Sequence, residues 1–240
     1  NRMFKEKISG VEYYVVNTDA QHLTRCDVPN KLAVGQKVTR GLGVGGNPEM
    51  GRQAAEESRE QLEQMMQGAD MVFLAAGMGG GTGTGSIPLI AQIAKEAGAL
   101  TIAVVSKPFG FEVATRRKNA DEGIARLVEH VDTLITIPND RLLETQHHND
   151  QTKSWDDALR LADSVLQQGI QAVAEVVMVP GEINVDFADV RTIMHNAGPA
   201  WLAIGKGKGE NRAVDAAKEA TKSPLLDIAI DGAKRVLFVM

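Results

Sequence analysis

Two groups of residues in this sequence have the types and spacing for chemistry. The first is Gly77-Met78-Gly79-Gly80-Gly81-Thr82-Gly83-Thr84-Gly85, six glycines and two hydroxyls in nine positions. It follows the apolar run Met71 to Ala76 and precedes a helical pattern from Ile87 to Ala97, so it reads as strand, glycine loop, helix. Glycines let the backbone come close to a ligand. The helix start adds unpaired N–H groups and the positive end of a dipole. Together they make an anion site, and phosphate is the usual anion. No Lys follows, so this is not the Gly-x-x-x-x-Gly-Lys-Ser/Thr loop. A flexible linker is the alternative, and it suits a place between strand and helix poorly. The second group is Asn184, Asp186 and Asp189. The two aspartates are i, i+3 neighbours on one flank of a helix start, beside the stripe Phe187, Val190 and Met194. Acids in a first turn also complement the helix dipole, so the residues alone leave their role open.

The elements that must position these groups alternate. Strands are expected at Glu12 to Asn17, in Lys31 to Val38, and at Met71 to Ala76, Leu100 to Ser106 and Thr133 to Ile137. Asn47 reads as an N-cap with Pro48 at the first helical position, opening a helix to about Gln67. Another helix covers Val113 to His130. Strands alternating with helices imply right-handed crossovers and a doubly wound parallel sheet. Ligands sit at the carboxyl ends of such strands, and Asn17, Gly77, Ser106 and Asn139 all lie there. A long helix follows, about Ser154 to Met178, with a stripe of Trp155, Leu159, Ala162, Leu166, Ile170, Val173 and Val177. At about 1.5 Å per residue it spans roughly 36 Å, enough for a spine between domains. The remainder reads as a smaller α/β unit: helices Asp186 to Asn196 and Glu210 to Lys222, and strands at Ala200 to Gly205, Leu226 to Ile230 and Val236 to Met240.

Composition narrows the class. The 240 residues allow one large or two small domains, and a net charge of −5 gives no sign of a nucleic-acid surface. The single cysteine, Cys26, excludes an internal disulfide and reads as a plain thiol. No apolar run reaches the ~18 residues of a membrane span. His147-His148 lacks metal-ligand spacing, Lys206 to Gly209 reads as a solvated turn, and Met65, Met66, Trp155 and Trp201 read as packing residues. Gly41 to Gly46 matches Gly-x-Gly-x-x-Gly, but the strand and downstream acid of a dinucleotide-dependent oxidoreductase are missing.

The glycine loop resembles the tubulin signature in the form used by the FtsZ family of bacterial cell-division GTPases. Asn17-Thr18-Asp19-Ala20-Gln21, Thr39-Arg40-Gly41-Leu42-Gly43, Lys107-Pro108-Phe109, Ile137-Pro138-Asn139-Asp140 and Asn184-Val185-Asp186-Phe187-Ala188-Asp189 resemble further family motifs, in the family's order. The resemblance implies a tubulin/FtsZ-like α/β fold: a Rossmann-like GTP-binding domain over 1–153, a central helix over 154–180 and a smaller C-terminal α/β domain over 181–240. It implies a cytoplasmic GTPase that forms head-to-tail filaments at the division site, with Mg²⁺ beside GTP or GDP. Gly79, Gly80, Gly81, Thr82, Gly83, Thr84 and Gly85 would cradle the phosphates. Gly45 and Gly46 would approach the γ-phosphate, with Val44 where the family often has Ala. Glu112 and Arg116 fall on ribose-contacting positions, and Asn139 lies at the base-and-sugar loop. Asp163 falls where a carboxylate accepts from guanine N1–H and its 2-amino group. Asn184, Asp186 and Asp189 would polarise a water for attack on the neighbouring subunit's GTP. Membrane tethers join such rings through a C-terminal tail absent from this sequence. Neither nucleic-acid binding nor direct membrane insertion is implied.

The sequence also departs from the pattern. It opens after the family's first strand and Gly-Gly-Gly-Gly loop and stops before the hairpin beyond Val236, so the reading expects a chain cut at both ends. Leu159 stands where many relatives stack an aromatic on guanine. Gln146 to Lys153 is a few residues longer than usual, and Glu182 replaces a common apolar residue. The missing loop motivates a second reading, a non-catalytic relative that binds filament ends and modulates assembly.

Overall fold

A computed structural model describes residues 4–5, 10–144, 160, 163–164, 166–171, 173–174, 186–203, 205–221 and 233–237. All its strand pairs are parallel. Strands β1 (Tyr14–Asn17) and β2 (Asn30–Ala33) form one sheet, while β3 (Met71–Gly77), β4 (Leu100–Lys107), β5 (Thr133–Pro138) and β6 (Gly198–Ala200) form a second in the order β3-β4-β5-β6. The expected parallel α/β architecture is present, divided between two sheets among the described residues.

The sequence of β4, Leu-Thr-Ile-Ala-Val-Val-Ser-Lys, shows why the larger sheet lies in the middle. Successive side chains alternate between faces. Leu100, Ile102 and Val104 join one core with Ile135, Ile137, Leu166, Ile170, Val173, Val190 and Met194. Ala103 and Val105 join the other, with Leu74, Leu134, Ile87, Ile90, Ala120 and Leu127. A strand apolar on both faces must be covered on both.

Before Gly41 run two short helices, α1 (Ala20–Thr24) and α2 (Gln36–Thr39). The single helix expected from Pro48 to Gln67 is two, α3 (Pro48–Glu57) and α4 (Arg59–Met66), meeting at Ser58 with φ −105° and ψ 19°. Ser58 is buried, and its hydroxyl accepts the Gly35 N–H at 3.1 Å; this local bond competes with continuous helix. Asn47 caps α3 as expected, accepting from the Glu49 and Met50 N–H groups. Helix α5 (Thr82–Glu96) and α6 (Ala114–Leu127) follow β3 and β4, and α7 (Asn139–Glu144) begins where β5 ends.

Beyond the long helix, of which residues 160, 163–164, 166–171 and 173–174 are described and helical, come α8 (Phe187–Met194) and α9 (Arg212–Thr221). The strand expected at Ala200 to Gly205 lies instead at Gly198–Ala200. It pairs with β5 of the main sheet, Thr133 facing Gly198, rather than founding a sheet of its own. Tertiary pairing overrides the local apolar run here. The expected strand at Leu226 to Ile230 lies outside the described residues, and at Val236 and Leu237 no strand is formed. Trp201, expected as a packing residue, is 49% exposed. Cys26 is half-buried, its thiol directed at the His22 carbonyl. Among the described residues no helix is long and apolar enough to cross a membrane.

Candidate functional site

Because the strands are parallel, β3, β4 and β5 end on one side, and the loops after them meet there. Met78 donates its N–H to the Ser106 carbonyl at 2.9 Å, pinning the glycine loop to the end of β4. Gly79 has φ 100°, and a Cβ there would lie 2.7 Å from the Arg116 carbonyl oxygen. Only glycine lets the first turn of α6 close on the loop. Gly81 is the N-cap of α5 and offers no side-chain cap, so the first N–H groups of that helix face outward unserved by one. A Cβ on Gly80 would meet nothing within 4 Å. The loop therefore presents backbone donors and a helix dipole to open space.

The two threonines divide their work. The Thr82 hydroxyl lies 2.6 Å from that of Thr18, which ties the turn after β1 to the start of α5. The Thr84 hydroxyl accepts the Gly79 N–H at 2.8 Å and is fully buried. Thr84 thus braces the loop from inside.

The second glycine loop is fastened to the same turn. Gly43 donates its N–H to the Thr18 carbonyl at 3.3 Å, and Ala20 donates to the Gly41 carbonyl at 3.1 Å. Val44 is buried, and its Cγ2 fills the place where a Cβ on Gly81 would lie, at 2.4 Å. Gly45 and Gly46, at φ 55° and 82°, border open space. The structure thus brings Gly45 and Gly46 to the same mouth as Gly79 to Gly85. Thr18, quoted only as part of a motif at the sequence level, is the residue that joins the two loops; nothing in its local pattern marks it out.

At the end of β4, Glu112 accepts the Phe109 N–H at 2.9 Å and forms a short ion pair with Arg116, so the two ribose candidates stand together. Asp140 holds the same loop by accepting the Gly110 N–H at 2.6 Å. Asn139 is 6% exposed, and its Oδ1 has no hydrogen-bond partner. A buried acceptor without a donor is costly. Asn139 is itself among the walls of a cavity of about 230 Å³, with Lys107, Arg117 and Asp121. Asp163 is exposed on its helical segment, a turn before buried Leu166. Asn184, Leu159, Trp155, Glu182 and His147-His148 lie outside the described residues.

Asp186 and Asp189 are both exposed. Asp186 occupies the N-cap position of α8, yet its side chain makes no cap hydrogen bond. The acidic turn stands at the other end of the sheet from the glycine loop. Two residues after Asp189, Arg191 donates to the carbonyl of Gly98 at 3.2 Å. Gly98 lies just past the far end of α5, whose 15 residues extend about 22 Å from the loop. Within one molecule the cradle and the acids are on opposite ends.

Among the described residues no group of three or more His, Cys, Asp or Glu could hold a metal ion. Large apolar side chains stand exposed beside the cradle: Leu42 at 77%, Phe111 at 63% and Val113 at 72%.

Residues 1–147 match the family model described as Tubulin/FtsZ family, GTPase domain, and residues 198–240 match that of the FtsZ family, C-terminal domain. Among solved structures, an empty FtsZ dimer from M. jannaschii is 47% identical with a TM-score of 0.90, over 96% of this chain and 66% of that one. A tryptophan-to-tyrosine FtsZ mutant from the same organism is 47% identical at TM-score 0.91, over 97% and 69%. The GTPγS-bound protofilament of CetZ2 from Haloferax volcanii is 22% identical at TM-score 0.67, over 80% and 55%, a likeness of fold. The chain spans about two thirds of the length of the FtsZ structures it matches.

Proposed function

Because this chain belongs to the Tubulin/FtsZ family, we propose that it binds and hydrolyses GTP at sites completed between successive subunits of a head-to-tail polymer acting in cell division. One observation carries this reading: the phosphate cradle and the acidic turn occupy opposite ends of the same body, with Arg191 on the Gly98 carbonyl at the far end of α5. Only a second copy can bring them together. The exposed Leu42, Phe111 and Val113 supply apolar surface around the mouth that such a copy would cover.

In this reading the N–H groups of the Gly79 to Gly85 loop, with those of Gly45 and Gly46, hold the phosphates. The Glu112–Arg116 pair meets the ribose, Asn139 Oδ1 accepts a donor from the nucleoside, and Asp163 reads guanine. The carboxylates of Asp186 and Asp189 of the next subunit, with Asn184, orient a water. As its oxygen attacks the γ-phosphorus in line, a carboxylate takes its proton and the bond to the bridging oxygen breaks, leaving GDP and phosphate. Mg²⁺, when bound, spreads the phosphate charge; phosphate oxygens and water would supply most of its ligands. Residues 1–153 form the nucleotide unit, 154–180 the spine and 181–240 the activating unit, docked through α8 and β6. The polymer reaches the membrane at the division site through separate tether proteins.

Turnover measured against protein concentration tests the proposal. It should rise more than linearly and be abolished by Asp189→Ala. Strictly linear turnover that survives this substitution would overturn the shared site.

A further inference from the structure

The acidic turn belongs to an eight-residue helix, α8, too short to be stable alone. Val190 and Met194, with half-buried Phe187 and Ile193, seat one face of it on the core, a non-directional apolar contact that leaves the fine angle to polar contacts. Its carboxyl end is fixed by a chain of polar side chains drawn from α5, the residue before β5 and the turn that follows α8. Asp132, immediately before β5, is 2% exposed at its side chain. Its Oδ2 accepts the Thr101 N–H at 2.9 Å, and its Oδ1 accepts the Asn196 N–H at 3.3 Å. His195 Nδ1 lies 2.9 Å from the same Oδ1 and Lys95 Nζ 3.6 Å from it. Lys95 also donates to Asn196 Oδ1 at 3.1 Å, and Asn196 Nδ2 lies 3.0 Å from His195 Nε2.

These contacts admit one consistent direction with a neutral imidazole. The Lys95 ammonium donates to the Asn196 carbonyl oxygen, the Asn196 amide donates to His195 Nε2, and His195 Nδ1–H donates to the Asp132 carboxylate. Every polar atom in the chain is then used. Asn196 sits at φ 48°, a left-handed turn that carries the backbone from α8 into β6. The Asp132 carbonyl accepts the Gly198 N–H at 2.9 Å, and the Thr133 hydroxyl donates to the Met194 carbonyl at 2.6 Å. Arg235 adds a guanidinium over the carbonyls of Ile193 and His195, each at 3.0 Å.

We propose that the Lys95–Asn196–His195–Asp132 chain is a positioning latch: it sets the angle of α8, and so aims Asp186 and Asp189 at the nucleotide of the neighbouring subunit. The proposal rests on the shared-site reading. The latch grips one end of a helix about 12 Å long whose other end carries the reacting carboxylates. A small rotation at His195 becomes a displacement at Asp186, and a displacement of about 1 Å in a reacting group can cost on the order of 100-fold.

Complementation separates positioning from general structure. His195→Ala and Asn196→Gly remove the side chains; the glycine tolerates the left-handed turn. Each alone should bind GTP as the parent chain does, because its cradle is at the far end, and should lose about 10-fold or more in turnover. Gly80→Asp places a carboxylate in the open phosphate space and removes nucleotide binding from a subunit whose acidic turn is intact. Mixing His195→Ala with Gly80→Asp should restore turnover, since intact cradles then meet intact acidic turns. His195→Gln, which can still reach Asp132, should recover part of the loss. Asp189→Ala mixed with Gly80→Asp is the control. Recovery in the control without recovery for His195→Ala, or a parallel loss of GTP affinity in that variant, would overturn the latch. Failure of the control itself would overturn the shared-site reading and the latch with it.

Discussion

Helix α3 crosses α5 at two glycines, and Gly85→Ala tests how closely. A Cβ on Gly85 would lie 1.9 Å from the Pro48 carbonyl oxygen and 2.8 Å from the Arg52 nitrogen. The nearer approach is roughly 1.5 Å short of ordinary contact. Both obstacles are backbone atoms, so no rotamer change relieves them. Overpacking of this kind costs about 1–3 kcal/mol, toward the upper end where nothing soft can give. Alanine returns about 1 kcal/mol over glycine through helix propensity. The net expectation is a loss of about 2 kcal/mol, or roughly 4–8 °C in the thermal midpoint for a chain of this length. Gly83→Ala is the matched control. It lies in the same helical turn, and its Cβ would meet the Gly77 carbonyl oxygen at 3.0 Å and little else. Its propensity gain and its mild crowding should leave stability within about 0.5 kcal/mol of the parent. Thermal unfolding without nucleotide, followed by circular dichroism, compares the two. Separating α3 from α5 also moves Asn47 and Val44 away from Gly81, so nucleotide affinity should fall with stability in Gly85→Ala. Equal midpoints for the two variants would refute the close crossing and the account of how the loops are held together.

Two further outcomes follow from buried polar groups. Burial pushes the Asp132 carboxyl up, but the Thr101 and Asn196 N–H groups, the Lys95 ammonium and the adjoining His195 ring outweigh it and hold the group below its ordinary value. A carboxyl with a lowered folded-state pKa contributes stability above its unfolded value, near 3.9, and loses it as pH falls through the folded value. Acid unfolding monitored from pH 6 to 2 should therefore show a limb below about pH 4 that Asp132→Asn flattens; an unchanged limb would count against the latch carboxylate as its source. Asn139→Ala deletes a buried acceptor that has no partner. It should leave stability unchanged or raise it by about 1 kcal/mol, while weakening GTP binding by about 10-fold in calorimetry. Destabilisation with unaltered affinity would show that Asn139 serves the fold instead.

What could be read from the sequence follows physical range. The glycine loop, the Asn47 cap and β4 were legible because each is written in consecutive residues: turn chemistry, a cap, an apolar run long enough to be buried on both faces. The break at Ser58 was not, because its cause is the N–H of Gly35, 23 residues away. Nor was the pairing of β6 with β5, since Gly198-Pro199-Ala200 has weak strand propensity and is placed by its neighbour and by the Asp132 carbonyl. Nor was the burial of Thr84, whose hydroxyl accepts the Gly79 N–H inside the loop.

The distance between the cradle and the acids shows where such reading stops and what geometry adds. Sequence order places Gly79 before Asp186 but says nothing of which end of the sheet each reaches. Two facts decide it: parallel strands put the cradle at their carboxyl ends, and Arg191, two residues after Asp189, holds the acidic turn to the Gly98 carbonyl beside their amino ends. The same geometry makes the proposed enzyme directional. A subunit that accepts phosphate at one face and offers carboxylates at the other can share sites only head to tail, because two cradles face to face would bring no acid to either. Growth of the polymer and completion of each active site then become one event. A variant that keeps turnover while blocking extension past a dimer would still need one such junction, so a monomer with full activity is the state this arrangement forbids.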